Sequence, residues 1–194
     1  TMIADKAPVA DSYSEQRTEL LLIIRTSKLS AHFQPIVDMR SGAIVAFEAL
    51  VRGPSDSCLH SPVALFDAAQ RCKLLVNMEL CALRVVSRRF VELGLPGLLF
   101  VNVSSDVLMA GLESRWREVQ HEIAAIGLKP ENVVIELTEN RPIADYARLR
   151  RIFTLLRSAG FELAIDDLGE GFSSLKRWAE LRPGFVKIDR YFIE

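Results

Sequence analysis

Apolar positions along this chain switch between a helical and an alternating rhythm. Glu15 to Ser27 holds the run Leu20 to Ile24, which surrounds most of one turn and predicts a packed helix. His32 to Asp38 and Ala43 to Val51 have strand character, and Met39-Arg40-Ser41-Gly42 between them predicts a tight turn, hence an antiparallel hairpin. In the second strand the two-residue period places Ala46, Glu48, Leu50 and Arg52 on one face, with Phe47, Ala49 and Val51 on the other. An acid and a base then share a face, and a buried salt bridge between them is the plain structural explanation.

Beyond a loop from Gly53, Ser61-Pro62 predicts a helix cap and first helical position, with the helix reaching about Lys73. Asn77 is expected to cap a second helix that ends at Leu93-Gly94. Leu98 to Ser105 predicts a buried strand, Leu112 to Ile126 a helix, and Asn132 to Leu137 another strand. Pro142 is expected to open a helix that runs to Ala159. Leu163 to Ile165 then leads into Asp166-Asp167 and a loop flanked by Gly169 and Gly171, with Ser173 or Ser174 capping a helix to Glu180. Phe185 to Asp189 is the last strand. Strand and helix alternate after the hairpin, which predicts parallel strands with helices outside them.

Composition narrows the function classes. Hydrophobic residues make up 49% and charged residues 25% of 194 positions, enough for one sizeable core. A net charge of −1 provides no basic field for DNA or RNA. Cys58, Cys72 and Cys81 have no Cys-x-x-Cys spacing and an odd count, which fits a reducing, cytoplasmic setting. His32, His60 and His121 are far apart, so zinc is not expected. No apolar run approaches the roughly 20 residues of a membrane span. Residues Thr1 to Ser14 lack the order of a signal peptide and are expected to be a tag or linker tail, with residues 15–194 forming one domain.

Polar residues recur near successive strand ends: Glu48, Asn102, Glu136, Asp166 with Asp167, and Lys187. Strands buried on both faces should be continuously apolar, so one polar group per strand is hard to ascribe to chance. In a βα barrel all such ends open on one face, where catalytic groups gather. Carboxylates and an amide oxygen suit a hard cation, Mg²⁺ or Mn²⁺. Two such ions would clamp a phosphodiester for in-line attack, and the lysine would stabilise the developing charge or hold the water. An enolase-type barrel, with a lysine base beside carboxylate-bound Mg²⁺, fits the same residue types on chemistry alone.

The segments FEALVRG (47–53), FVNVSS (100–105), VVIELTEN (133–140), AIDDLGEGFSSL (164–175) and FVKIDR (185–190) resemble, in order and spacing, the EAL family of cyclic di-GMP phosphodiesterases. The ordered set argues against the enolase alternative. The resemblance implies an α/β fold, a modified TIM-type βα barrel with an antiparallel first hairpin. It implies hydrolysis of cyclic di-GMP to linear pGpG with Mg²⁺ or Mn²⁺, two ions. By motif position Glu48, Asn102, Glu136, Asp166 and Asp167 would be metal ligands. Lys187, Asp167 and Glu48 would be catalytic, with Lys187 assisting the water. Gln34, Leu50, Arg52 and Asp189 would bind substrate, and Glu139 would anchor the glycine loop. An upstream sensor or GGDEF-type domain in a longer chain is implied, and a homodimer is allowed.

The chain also departs from the family pattern. Leu168 replaces an aromatic residue and Glu170 a small one, and the added charge is expected to lower activity. Two further βα units, with an E-G-V-E and a terminal Q-G segment, are absent. About six of eight strands are therefore expected, with the rest of the barrel supplied by a longer polypeptide or a second chain. A catalytically weak or inactive module that binds cyclic di-GMP or a protein partner is the alternative function.

Overall fold

The structure, a computed structural model, describes residues 9–110, 113–138, 145–168, 172–188 and 191. Its elements are α1 (Val9–Thr26), β1 (Ser30–Val37), β2 (Ile44–Arg52), α2 (Pro62–Arg71), α3 (Leu75–Glu92), β3 (Leu98–Ser104), α4 (Ser105–Met109), α5 (Glu113–Ala125), β4 (Val133–Thr138), α6 (Tyr146–Ser158), β5 (Glu162–Leu168), α7 (Phe172–Leu181) and β6 (Phe185–Ile188). The six strands form one sheet in chain order. β1 and β2 pair antiparallel, and every later pair is parallel. This is the expected incomplete βα barrel: a mixed sheet with its helices on the outside. Among the described residues no helix is long and apolar enough to cross a membrane.

The hairpin forms because Asp38 closes its turn, accepting the N–H groups of Arg40 and Ser41 at 2.8 Å each. Alternation along each strand then splits the apolar residues between two faces. Phe47, Val101, Ile135 and Ile165 face outward into a large core that includes Phe90, Ile123 and Phe153 from the helices. Ala46, Phe100, Val134 and Ala164 face inward, joined by Ile36, Leu98 and Phe185 in a much thinner layer. Phe100 and Phe185 meet edge-on with ring centroids 5.3 Å apart.

A third cluster lies beneath α1 and α2, where Leu20 and Ile23 pack on Leu65, Ala68 and Met78. The run Leu20 to Ile24 is thus one-faced rather than enclosed: Leu21 and Leu22 are 44% and 48% exposed.

Several element boundaries differ from the sequence reading. α3 starts at Leu75, so Asn77 lies inside its first turn and does not cap it. Burial of Leu74 and Met78 against the third cluster fixes that start. β3 stops at Ser104, whose Oγ accepts the Val107 N–H and caps the short helix α4. Asn132 falls in a 3₁₀ turn ahead of β4. α6 begins at Tyr146, capped by Asp145; Pro142 lies outside the described residues. α7 begins at Phe172, so Ser173 and Ser174 occupy its first turn rather than its cap.

Candidate active site

The inner face carries the chemistry. Two residues beyond Ala46, Phe100, Val134, Ala164 and Phe185, the strand period places Glu48, Asn102, Glu136, Asp166 and Lys187 above the thin apolar layer. Lys187 joins the acids. Its Nζ donates to Glu136 Oε1 at 2.5 Å and to Glu48 Oε2 at 3.0 Å, and lies 3.6 Å from Asp166 Oδ1. Asn102 Nδ2 donates to Glu48 Oε1 at 3.2 Å. One connected group therefore spans β2, β3, β4, β5 and β6.

Burial sets its electrostatics. Glu136 is fully buried, and desolvation pushes its pKa up to about 8 against the pull of the Lys187 hydrogen bond and charge. For Lys187, burial disfavours the ammonium, but the hydrogen bonds and charges of Glu136, Glu48 and Asp166 outweigh it and hold the pKa above the ordinary lysine value. The acids are thereby tied to a protonated amine.

Gln34 is paired with Glu48 across the hairpin, which puts both on the same face. Leu50 and Arg52 follow Glu48 on that face toward the end of β2. Arg52 makes no ion pair among the described residues, and Glu48 pairs with Lys187 instead. The Glu48–Arg52 salt bridge is therefore not formed. Asp167 lies in β5 at the pairing irregularity between Ile165 and Leu168; its side chain, like Glu139, Asp189 and the Gly169–Gly171 loop, lies outside the described residues.

A cavity of about 680 Å³ opens where the ends of β2 and β3 meet α2 and α3, bordered by Leu50, Phe66, Asp67, Gln70 and Glu79, and it touches the polar group at Asn102. Glu79 is the residue that sequence reading missed. It projects from α3 and accepts the Ser104 backbone N–H at 2.9 Å. That bond fixes the end of β3 two residues past Asn102. The available signal was an acid between Met78 and Leu80 in a helix stretch where neighbouring positions are buried. Burial, with the Asp106 charge adding to it and the Ser104 hydrogen bonds opposing, raises the Glu79 pKa to about 7.

For an acid raised in the folded state, folding takes up a proton between the unfolded pKa and about 7. Stability contributed there is full below the unfolded pKa and falls as pH rises through 7. Glu136 adds a slope of the same sign. We expect Glu79→Gln, which keeps the acceptor but cannot ionise, to flatten the decline of thermal midpoint between pH 5 and 8 relative to the parent. An identical pH profile in both proteins would contradict this.

The donor set suits a hard divalent cation, being carboxylate and amide oxygens. Glu136 Oε2 is buried and has no hydrogen-bond partner among the described residues, so one oxygen remains for such an ion. Among the described residues, however, no three His, Cys, Asp or Glu side chains already converge as a ligand set. Lys187 stands between the acids instead.

The family model for the EAL domain matches residues 16–194. The chain is 30% identical over 183 residues to the cyclic di-GMP phosphodiesterase NbdA of Pseudomonas aeruginosa, covering 92% of this chain and 23% of that protein. It is 29% identical over 161 residues to the blue light- and temperature-regulated antirepressor BluF of Escherichia coli, covering 83% and 39%. Among solved structures, the manganese and cyclic di-GMP complex of BlrP1 from Klebsiella pneumoniae superposes with a TM-score of 0.76 at 29% identity, covering 86% of this chain and 41% of that one. The chain thus spans between 23% and 39% of the length of these curated relatives.

Proposed function

The chain belongs to the EAL-domain family, and from that premise we propose that it binds cyclic di-GMP at the mouth of its incomplete barrel and hydrolyses it to linear pGpG in the cytoplasm. The observation that carries this reading is the polar group of five strands, with its unpartnered Glu136 oxygen, touching an open cavity at Asn102. Glu48, Asn102, Glu136 and Asp166 would hold Mg²⁺ or Mn²⁺, with Asp167 as a further ligand where two ions bind. Bound metal would supply Lewis-acid polarisation of the phosphate and ready deprotonation of the attacking water. Lys187 would hydrogen-bond that water and orient it toward phosphorus. Asn102 would hold the Glu48 carboxylate in place through its amide. The water oxygen forms the new P–O bond as the P–O3′ bond breaks, and the freed 3′ oxygen takes up a proton.

Arg52 is free to pair bidentately with a substrate phosphate. Leu50 offers an apolar wall to a base; Gln34, paired with Glu48 across the hairpin, and Asp189 would serve the same substrate. Glu139 would anchor the glycine loop. Arg52→Ala is expected to weaken cyclic di-GMP binding at least tenfold and to leave the thermal midpoint within about 2 °C, as surface changes usually do. A large stability loss with affinity kept would return Arg52 to a structural role.

A second reading follows from the similarity to an antirepressor and from the replacements Leu168 and Glu170 in the acidic loop. There the module binds cyclic di-GMP or a protein partner without turnover. Incubation with cyclic di-GMP and Mn²⁺, followed by chromatography, separates the two. Accumulating pGpG supports hydrolysis; calorimetric binding without product supports the silent module.

A further inference from the structure

We propose that Lys187 is an internal stand-in for the metal, so that its ammonium and the divalent ion compete for the same carboxylate oxygens. The inference rests on the metal-dependent reading above. The Nζ atom reaches Glu136 Oε1 at 2.5 Å, Glu48 Oε2 at 3.0 Å and Asp166 Oδ1 at 3.6 Å. Those are the oxygens a hard cation would bind, at about 2.0–2.6 Å. An ion at that distance from the first two oxygens would overlap or closely abut the nitrogen. The ion also carries two positive charges, and its repulsion of an adjacent ammonium inside a partly buried site is strong. The two cations cannot share the cluster, so metal entry requires Lys187 to withdraw.

The side chain is built for that movement. Lysine has a flexible four-carbon stem and a compact charge. The Lys187 side chain is 31% exposed, whereas Glu136 is fully buried. The lysine therefore has a path toward the mouth that the glutamate lacks. Glu136 Oε2, buried and without a hydrogen-bond partner among the described residues, is an oxygen that Lys187 does not use and that an ion can take once the ammonium has moved aside.

The exchange has two consequences. Three acids gathered from β2, β4 and β5 repel one another, and Lys187 compensates them while no metal is bound. Once an ion replaces it, the ammonium is released at the mouth, where the attacking water would lie. Metal loading and delivery of the lysine to the reaction then become one event, and a metal-free site holds its lysine back.

Calorimetric titration with Mn²⁺ tests this on the parent, Lys187→Met and Lys187→Arg. Lys187→Met keeps the length of the side chain but not its charge. It should bind Mn²⁺ at least tenfold more tightly than the parent, and its lower metal-free midpoint should rise further on adding Mn²⁺. Lys187→Arg keeps the charge and should show no gain. Equal or weaker affinity in Lys187→Met would overturn the competition while leaving a metal site standing. Absence of Mn²⁺ binding in every variant would overturn it together with the metal-dependent reading. If Lys187→Met does not fold without metal, the parent still decides. The Lys187 side-chain ¹³Cε resonance should shift as diamagnetic Mg²⁺ is added, and a resonance unmoved at metal saturation would refute the exchange.

Discussion

Glu136→Gln should abolish Mn²⁺ binding, with at least a hundredfold loss of affinity by calorimetry, and should reduce any cyclic di-GMP turnover to background. The substitution keeps the volume of a fully buried side chain in the middle of β4. It removes the charge that would hold the ion and leaves an amide, whose oxygen can still accept from Lys187. The fold should survive, and above pH 8 it should gain stability. Burial raises the Glu136 pKa to about 8, so folding takes up a proton from the ordinary glutamate range to that value. The folded protein is progressively destabilised as pH rises through this window, by on the order of a few kcal/mol. Glutamine avoids that cost. A thermal midpoint at pH 9 above the parent's, combined with lost metal binding, would mark Glu136 as a group kept against the interest of stability. Retained Mn²⁺ affinity in a folded variant would remove it from the ligand set.

Gly97→Ala should lower stability by roughly 2–4 kcal/mol. Gly97 precedes β3 with φ at +83°, and a Cβ there would lie 2.2 Å from the backbone oxygen of Val45. Neither side can yield cheaply, because the clash is with main chain and not with a mobile side chain. The position also sets register: Ala46 pairs with Leu98 immediately beyond it, and Glu48 with Phe100. A forced opening at this entrance would move Asn102 relative to Glu48. Urea unfolding should show the stability loss, and Mn²⁺ affinity should fall with it. A fully stable Gly97→Ala protein would mean that the turn relaxes elsewhere.

Much of this arrangement was legible in the sequence because a single rule governs it. The two-residue strand period places Glu48, Glu136 and Lys187 on one face, and consecutive βα units place their strands side by side. Where the reading failed, a tertiary contact outweighed a local signal. Asn77 has good capping chemistry, yet α3 begins two residues earlier because Leu74 is buried. Leu20 to Ile24 is uniformly apolar, yet only one side of α1 has anything to meet. The Glu48–Arg52 pair satisfied the strand geometry of β2, but the nearer counter-charge arrives from β6, distant in sequence. Glu79 could not be placed at all from a helix pattern, since its role depends on where Ser104 ends a different element.

The sheet order also has a meaning in time. Each strand pairs with the one before it in the chain, so the sheet can grow along one edge as the polypeptide emerges from the ribosome, N-terminal part first. Glu48, Glu136 and Asp166 are all delivered before Lys187. The growing inner wall therefore gathers three carboxyl groups before the strand that brings their shared ammonium is made. That strand's described residues, Phe185–Ile188, pair with β5 through a register irregularity between Ile165 and Leu168. The attraction of the waiting carboxylates for one ammonium then favours the alignment that brings Lys187 to them, so the polar cluster also acts during biosynthesis as a guide for strand pairing.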